Sequence, residues 1–255
     1  MSELAHSIDV AAIAPIVAGP FVGSFLGVLA TRLPEGQRVA GGRSRCAGCG
    51  RTLGPSELVP IVSYAVQRGR CRGCAAPIDP LLPAIEIGAA LVPVWAMLVP
   101  AGPPVWASAL LGWTLLALAA IDMRSLLLPD ALTLPLVAVG LACAAAAVPD
   151  RVEADLIGAA AGALAFAAVR TAYRRLRGRD GLGLGDVKLL AALGAWVGWD
   201  GLPSVVLLGA AAAIAGVLVA GLRGTRLAGD LTLPFGAALC LGGWLVWLYG
   251  PISLG

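Results

Sequence analysis

An all-α, polytopic membrane protein is the fold class this sequence predicts, and three observations predict it. Of 255 residues 59% are hydrophobic and only 13% charged, whereas about a quarter of a soluble domain is charged. Apolar runs recur at lengths near the roughly 20 helical residues that cross a hydrocarbon core. The segments between those runs alternate between arginine-rich and nearly charge-free.

The apolar runs are rich in Ala, Leu and Val, and a bilayer accepts only helices or closed barrels. The sequence therefore predicts about eight transmembrane helices, near Ala11–Leu33, Pro83–Val99, Pro104–Ile121, Leu132–Val148, Asp155–Val169, Val187–Val197, Pro203–Leu222 and Leu233–Leu248. Abundant Ala and Gly suit close helix packing in lipid. Residues before the first run include Glu3, His6 and Asp9 but no Lys or Arg, so it reads as a retained helix and not as a cleaved signal with a basic start.

Basic residues remain on the cytoplasmic side of short loops, and here they set a topology. Arg38, Arg43, Arg45, Arg51, Arg68, Arg70 and Arg72 fall between the first two runs, Arg124 between the third and fourth, and Arg170, Arg174, Arg175, Arg177 and Arg179 between the fifth and sixth. Arg223 and Arg226 follow the seventh. The intervening links hold only Arg151. Eight spans with both termini outside satisfy that pattern. The net charge of +3 is then a topological signal and does not point to nucleic acid.

Cys46-Ala-Gly-Cys49 and Cys71-Arg-Gly-Cys74 stand in the first basic loop, 21 residues apart. Two such pairs have zinc-ribbon spacing, and four thiolates complete a tetrahedral structural zinc site. A reducing cytoplasm disfavours the alternative of disulfides. Cys143 and Cys240, alone in apolar runs, read as packing residues.

Ionisable residues at membrane depth are costly and are functional candidates by default. Asp122 ends one apolar run, and Asp186 closes Gly181-Leu-Gly-Leu-Gly-Asp186 before the sixth. The topology puts both at cytoplasmic helix ends, where they can meet, and two adjacent carboxylates can share a proton and hydrolyse a peptide through water. Gly183 and Gly185 leave room for an extended substrate backbone beside the acid. Asp130, after Pro129, reads as a helix-capping acid, and Lys188 as a cation snorkelling to the interface. Glu86 is either a partly buried structural acid or one facing the loop.

In this order the motifs resemble those of the prepilin peptidases, relatives of the GxGD intramembrane aspartyl proteases. The resemblance is carried by Gly23-Ser-Phe-Leu26 with Arg32-Leu-Pro34, the CxxC pairs with Arg68-Gly-Arg-Cys71 and Ala76-Pro-Ile78, and Pro83 with Glu86. It continues through Ile121-Asp122 with Leu128-Pro-Asp130, Gly183-Leu-Gly-Asp186-Val-Lys188, and Pro234-Phe-Gly236. It implies a first transmembrane helix (1–33), a cytoplasmic zinc loop (34–80) and a membrane peptidase domain of about seven helices (81–255).

The resemblance further implies that Asp122 and Asp186 are the catalytic pair, supported by Gly183, Gly185 and Lys188, with zinc on Cys46, Cys49, Cys71 and Cys74. The implied reaction is cleavage of a basic leader from prepilin or pseudopilin precursors at the cytoplasmic face of the inner membrane. Many members also methylate the new N-terminus with S-adenosylmethionine. Two departures, Gly27 and Leu58-Val-Pro60 where the family usually has Asn and Asn-Ile-Pro, bear on methyl transfer and not on proteolysis. A proton-coupled carrier would use the same acids but need inverted repeats or interrupted helices. A zinc-stabilised assembly factor would not need them.

Overall fold

The computed structural model describes residues 10–39, 42–223 and 233–252; Glu3, His6, Asp9 and Arg226, used above in reading topology, lie outside them. The described residues form eight α-helices. These are α1 (Val10–Arg32), the short α2 (Val62–Val66), α3 (Leu81–Leu98), α4 (Val105–Ser125), α5 (Asp130–Ala147), α6 (Val152–Arg177), α7 (Leu184–Leu222) and α8 (Phe235–Tyr249). Six are long and apolar enough to cross a membrane, and α8 is a shorter apolar helix. Each of the eight apolar runs falls on one of these helices, two of them on α7.

The 39-residue α7 resolves into two spans. At Gly198 the backbone leaves helical geometry (φ 74°, ψ 175°), a left-handed conformation that glycine adopts without a Cβ clash. Before the break, Leu193 packs on Gly243 of α8; after it, Val205 and Gly209 pack on neighbouring Gly242. Two stretches on either side of one residue reach the same level of α8 only if the chain reverses at Gly198. The sequence suggests a loop at Trp199–Gly201; instead one residue makes the turn and helix resumes at once. Arg151 donates to the carbonyl of Val197 at 3.2 Å, next to the break, and so satisfies an acceptor beside the interrupted ladder.

The chain divides into two compact units, residues 1–117 and 118–255. In the first, α1 runs antiparallel to α3, since Gly19 meets Ala89 and Gly23 meets Glu86. A Cβ on Gly23 would lie 2.5 Å from Glu86 Cα, so the small residue sets the helix separation. Trp113 of α4 donates its indole N–H to the Ala89 carbonyl at 2.7 Å.

In the second unit α6 crosses the first half of α7 with Gly158 directly against Gly194, where backbones touch and no side chain fits. The terminus of α6 follows dipole logic, with Glu153 and Asp155 in its first turn, Arg174, Arg175 and Arg177 in its last, and left-handed Gly178 (φ 67°) ending it. Asp155 is a buried acid that sequence reading passes over: it is 3% exposed, 3.8 Å from Arg151 one turn earlier.

Candidate active site

Asp122 stands in the last turn of α4 and Asp186 in the first turn of α7. Both ends belong to the second unit, and the chain brings them together. Leu128, in the α4–α5 connection, is the wedge between them. Its side chain lies 2.8 Å from where a Cβ would stand on Gly185, and equally 2.8 Å from one on Gly236. A Cβ on Gly236 would in turn lie 3.0 Å from Asp122 Oδ2. Leu128 thus touches both the residue before Asp186 and the start of α8 that holds Asp122.

Each carboxylate is oriented by a backbone amide. The Ala237 N–H, at the start of α8, donates to Asp122 Oδ2 at 2.8 Å. Gly183, the N-cap of α7, donates its backbone N–H to Asp186 Oδ2 at 3.2 Å. Asp122 is 5% exposed, whereas Asp186 is half-buried, so one acid is enclosed and the other borders the surface. Such a pair, with one open side, can hold a shared proton and a water.

Of the two glycines, Gly183 donates to Asp186 and Gly185 packs where only hydrogen fits against Leu128. Gly236 belongs to the Pro234-Phe-Gly236 motif but Ala237 lies outside it; the contact of Ala237 with Asp122 spans 115 positions, and no local pattern discloses it.

Asp130 opens α5 as the acid of its first turn, as the sequence suggests, but its side chain is engaged with Lys188. Pro129 is the N-cap of α5, and Asp130 makes no side-chain capping bond. Both its oxygens instead accept from Lys188 Nζ, at 2.6 and 2.7 Å. Lys188 thus neither snorkels alone nor touches Asp186; it ties the start of α5 to the first turn of α7. Both side chains are partly exposed, so the pair contributes at most about 1 kcal/mol. Asp130→Asn is accordingly expected to keep processing within about fivefold of the natural rate. Asp130→Lys should lose more through like-charge repulsion and regain part of it when combined with Lys188→Asp, as initial cleavage rates would record.

In the first unit, the cysteine loop forms two matching knuckles. In one, the Cys46 amide donates to Arg51 O at 2.9 Å and Gly50, at φ 69°, turns the chain. In the other, the Cys71 amide donates to Ala76 O at 2.9 Å and Ala75 turns it at φ 58°. The four sulfurs lie within 4.8 Å of one another, with Cys46 Sγ 3.8 Å from Cys74 Sγ. Zinc–sulfur bonds of about 2.3 Å in a tetrahedron require sulfurs about 3.8 Å apart, so the group can hold a metal ion of that size.

Backbone N–H groups of Cys74 and Gly73, with the Cys46 thiol, lower Cys71 to about 6, favouring the thiolate a metal binds. Arg51 lies 3.9 Å from Cys71 Sγ and pairs bidentately with Glu57 at 2.6 and 3.0 Å, placing a cation beside the thiolates. Glu86, on α3, accepts the Ile61 N–H at 2.7 Å. It is both structural and loop-facing, which joins the two alternatives.

Residues 17–99 match the model of the bacterial peptidase A24 N-terminal domain, and residues 109–220 that of the type IV leader peptidase family. The chain belongs to the type IV leader peptidase family. Among relatives named prepilin leader peptidase/N-methyltransferase, one from Burkholderia pseudomallei (strain 1026b) is 41% identical over 92% of this chain and 84% of its own. One from Aeromonas hydrophila is 41% identical over 82% and 72% respectively, and one from Pseudomonas aeruginosa 34% over 92% and 89%. No solved structure matches. Within this family-wide match the N-terminal model covers the cysteine loop, and the peptidase model covers both aspartates.

Proposed function

We propose that this peptidase removes the basic leader from type IV prepilin or pseudopilin precursors, with Asp122 and Asp186 as its catalytic pair. The observation that supports the reading is that both acids stand at helix ends around Leu128 inside an apolar bundle, each accepting from backbone N–H. One carboxylate takes a proton from water while the other, protonated, donates to the scissile carbonyl oxygen; the resulting tetrahedral carbon then expels the amine as it is protonated. Gly183 adds no side chain at the approach to Asp186, while the space beside Gly185 is taken by Leu128.

The arginine distribution supports a cytoplasmic position for this end of the bundle in the inner membrane. A leader rich in Lys or Arg is held on that same side, so its scissile bond reaches the boundary where the acids lie. Zinc on the four cysteines supports the loop and leaves no coordination position for a catalytic water. The second activity in the relatives' names, N-methylation, would use S-adenosylmethionine. Here Gly27 packs against Leu82 and Leu58 and Val59 present no polar group, so methyl transfer is to be scored apart from cleavage.

Co-expression with a prepilin, followed by mass determination of the mature N-terminus, tests both activities as separate mass changes. In the same system, moving the scissile bond several residues deeper into the pilin's apolar helix should stop cleavage, because intact helix protects its carbonyls in hydrogen bonds. Efficient cutting at the deep bond would place the acids near the midplane and defeat this assignment.

A further inference from the structure

Between its two knuckles the cysteine loop carries an apolar ridge. Leu58, Val59, Val62 and Val66 are 43%, 42%, 57% and 65% exposed; Val62 and Val66, four residues apart, share one side of α2, and Leu58 and Val59 stand in the bend just before it. Aliphatic side chains so placed on a cytoplasmic loop need a partner. The bond between Ile61 and Glu86 identifies it.

Glu86 is the sixth residue of α3, which has only 18 residues. At 1.5 Å per residue that is about 27 Å, against a hydrocarbon core of about 30 Å. Almost all of α3 is needed to cross, so its second turn lies within the membrane boundary. The Ile61 amide, bonded to Glu86 at 2.7 Å, must reach that depth too. Ile61 is held there at φ 63°, a conformation a β-branched residue adopts only when its surroundings impose it. Pro60 beside it is buried, while Arg68, Arg70 and Arg72 further on are exposed, where cations would meet lipid phosphates.

We infer that Leu58–Val66 dips into the cytoplasmic leaflet, with Leu58, Val59, Val62 and Val66 among the upper acyl chains and Arg68, Arg70 and Arg72 at anionic headgroups. Its ligand is the bilayer itself, and Glu86 is the tether that fixes the depth. This inference is independent of the peptidase reading, since it rests on α3 crossing the membrane.

An environment-sensitive fluorescent amino acid placed at Val62, Val66 or, as an aqueous reference, exposed Arg43 tests it. The full chain is reconstituted in nanodiscs of phosphatidylethanolamine and phosphatidylglycerol. Quenching by a nitroxide on the upper acyl chain is expected to exceed quenching by aqueous iodide severalfold at Val62 and Val66, and the order should reverse at Arg43. Glu86→Ala should move both loop probes toward iodide. Iodide-dominated quenching at Val62 and Val66 in the natural background overturns the inference. So does shielding from both quenchers, the result a protein partner would give.

Discussion

Asp122→Asn and Asp186→Asn are each expected to abolish leader processing while the protein accumulates in the membrane at its usual level. Asparagine has the volume of aspartate, and its amide oxygen can still accept from the Ala237 or Gly183 N–H, so helix packing survives. An amide cannot carry the shared proton or take one from water, and loss of such a group costs roughly 10²–10⁴ in rate. In a co-expression assay read as the processed fraction of prepilin, that is no visible product. Asp155→Asn provides the contrast: it alters another buried acid, paired with Arg151 beside the α7 break, and should leave cleavage within severalfold of normal. Wild-type-like processing by either Asp122→Asn or Asp186→Asn would remove that residue from the catalytic pair.

Much of this was legible because membrane constraints act locally. Hydropathy located the helical runs, since every backbone amide in lipid must bond within its own helix, and charge at helix ends singled out Asp122 and Asp186. What escaped reading depends on long-range contact. The Lys188–Asp130 pair joins positions 58 apart, so each residue alone offered only a generic role, cap or snorkelling cation. Gly198 was hidden for a different reason: Asp200 and Pro203 advertise a loop, whereas one left-handed glycine makes the reversal and both residues stay helical. Asp155 did have a local signal, an arginine four residues earlier, but it coincided with the start of an apolar run and was passed over.

Removing any one of Cys46, Cys49, Cys71 and Cys74 should release the metal altogether, and this is the other large effect expected. The purified chain is expected to carry one zinc, measured by elemental analysis against protein concentration, and each Cys→Ser variant close to none. The reason is cooperative: the loop is built from two short knuckles, each held by a few backbone hydrogen bonds, and structural zinc in such settings contributes on the order of 10 kcal/mol that the rest of the loop cannot replace. Three thiolates and a serine hydroxyl lose a charged soft ligand and leave the tetrahedron incomplete. Arg51→Ala separates the ligands from their surroundings, because it removes the cation beside Cys71 without touching a sulfur. It should keep the zinc but release it faster to a chelator, since the thiolates lose a neighbouring positive charge. Natural protein purified without zinc, or a Cys→Ser variant that retains it in full, would mean that the four sulfurs converge for a reason other than a structural metal.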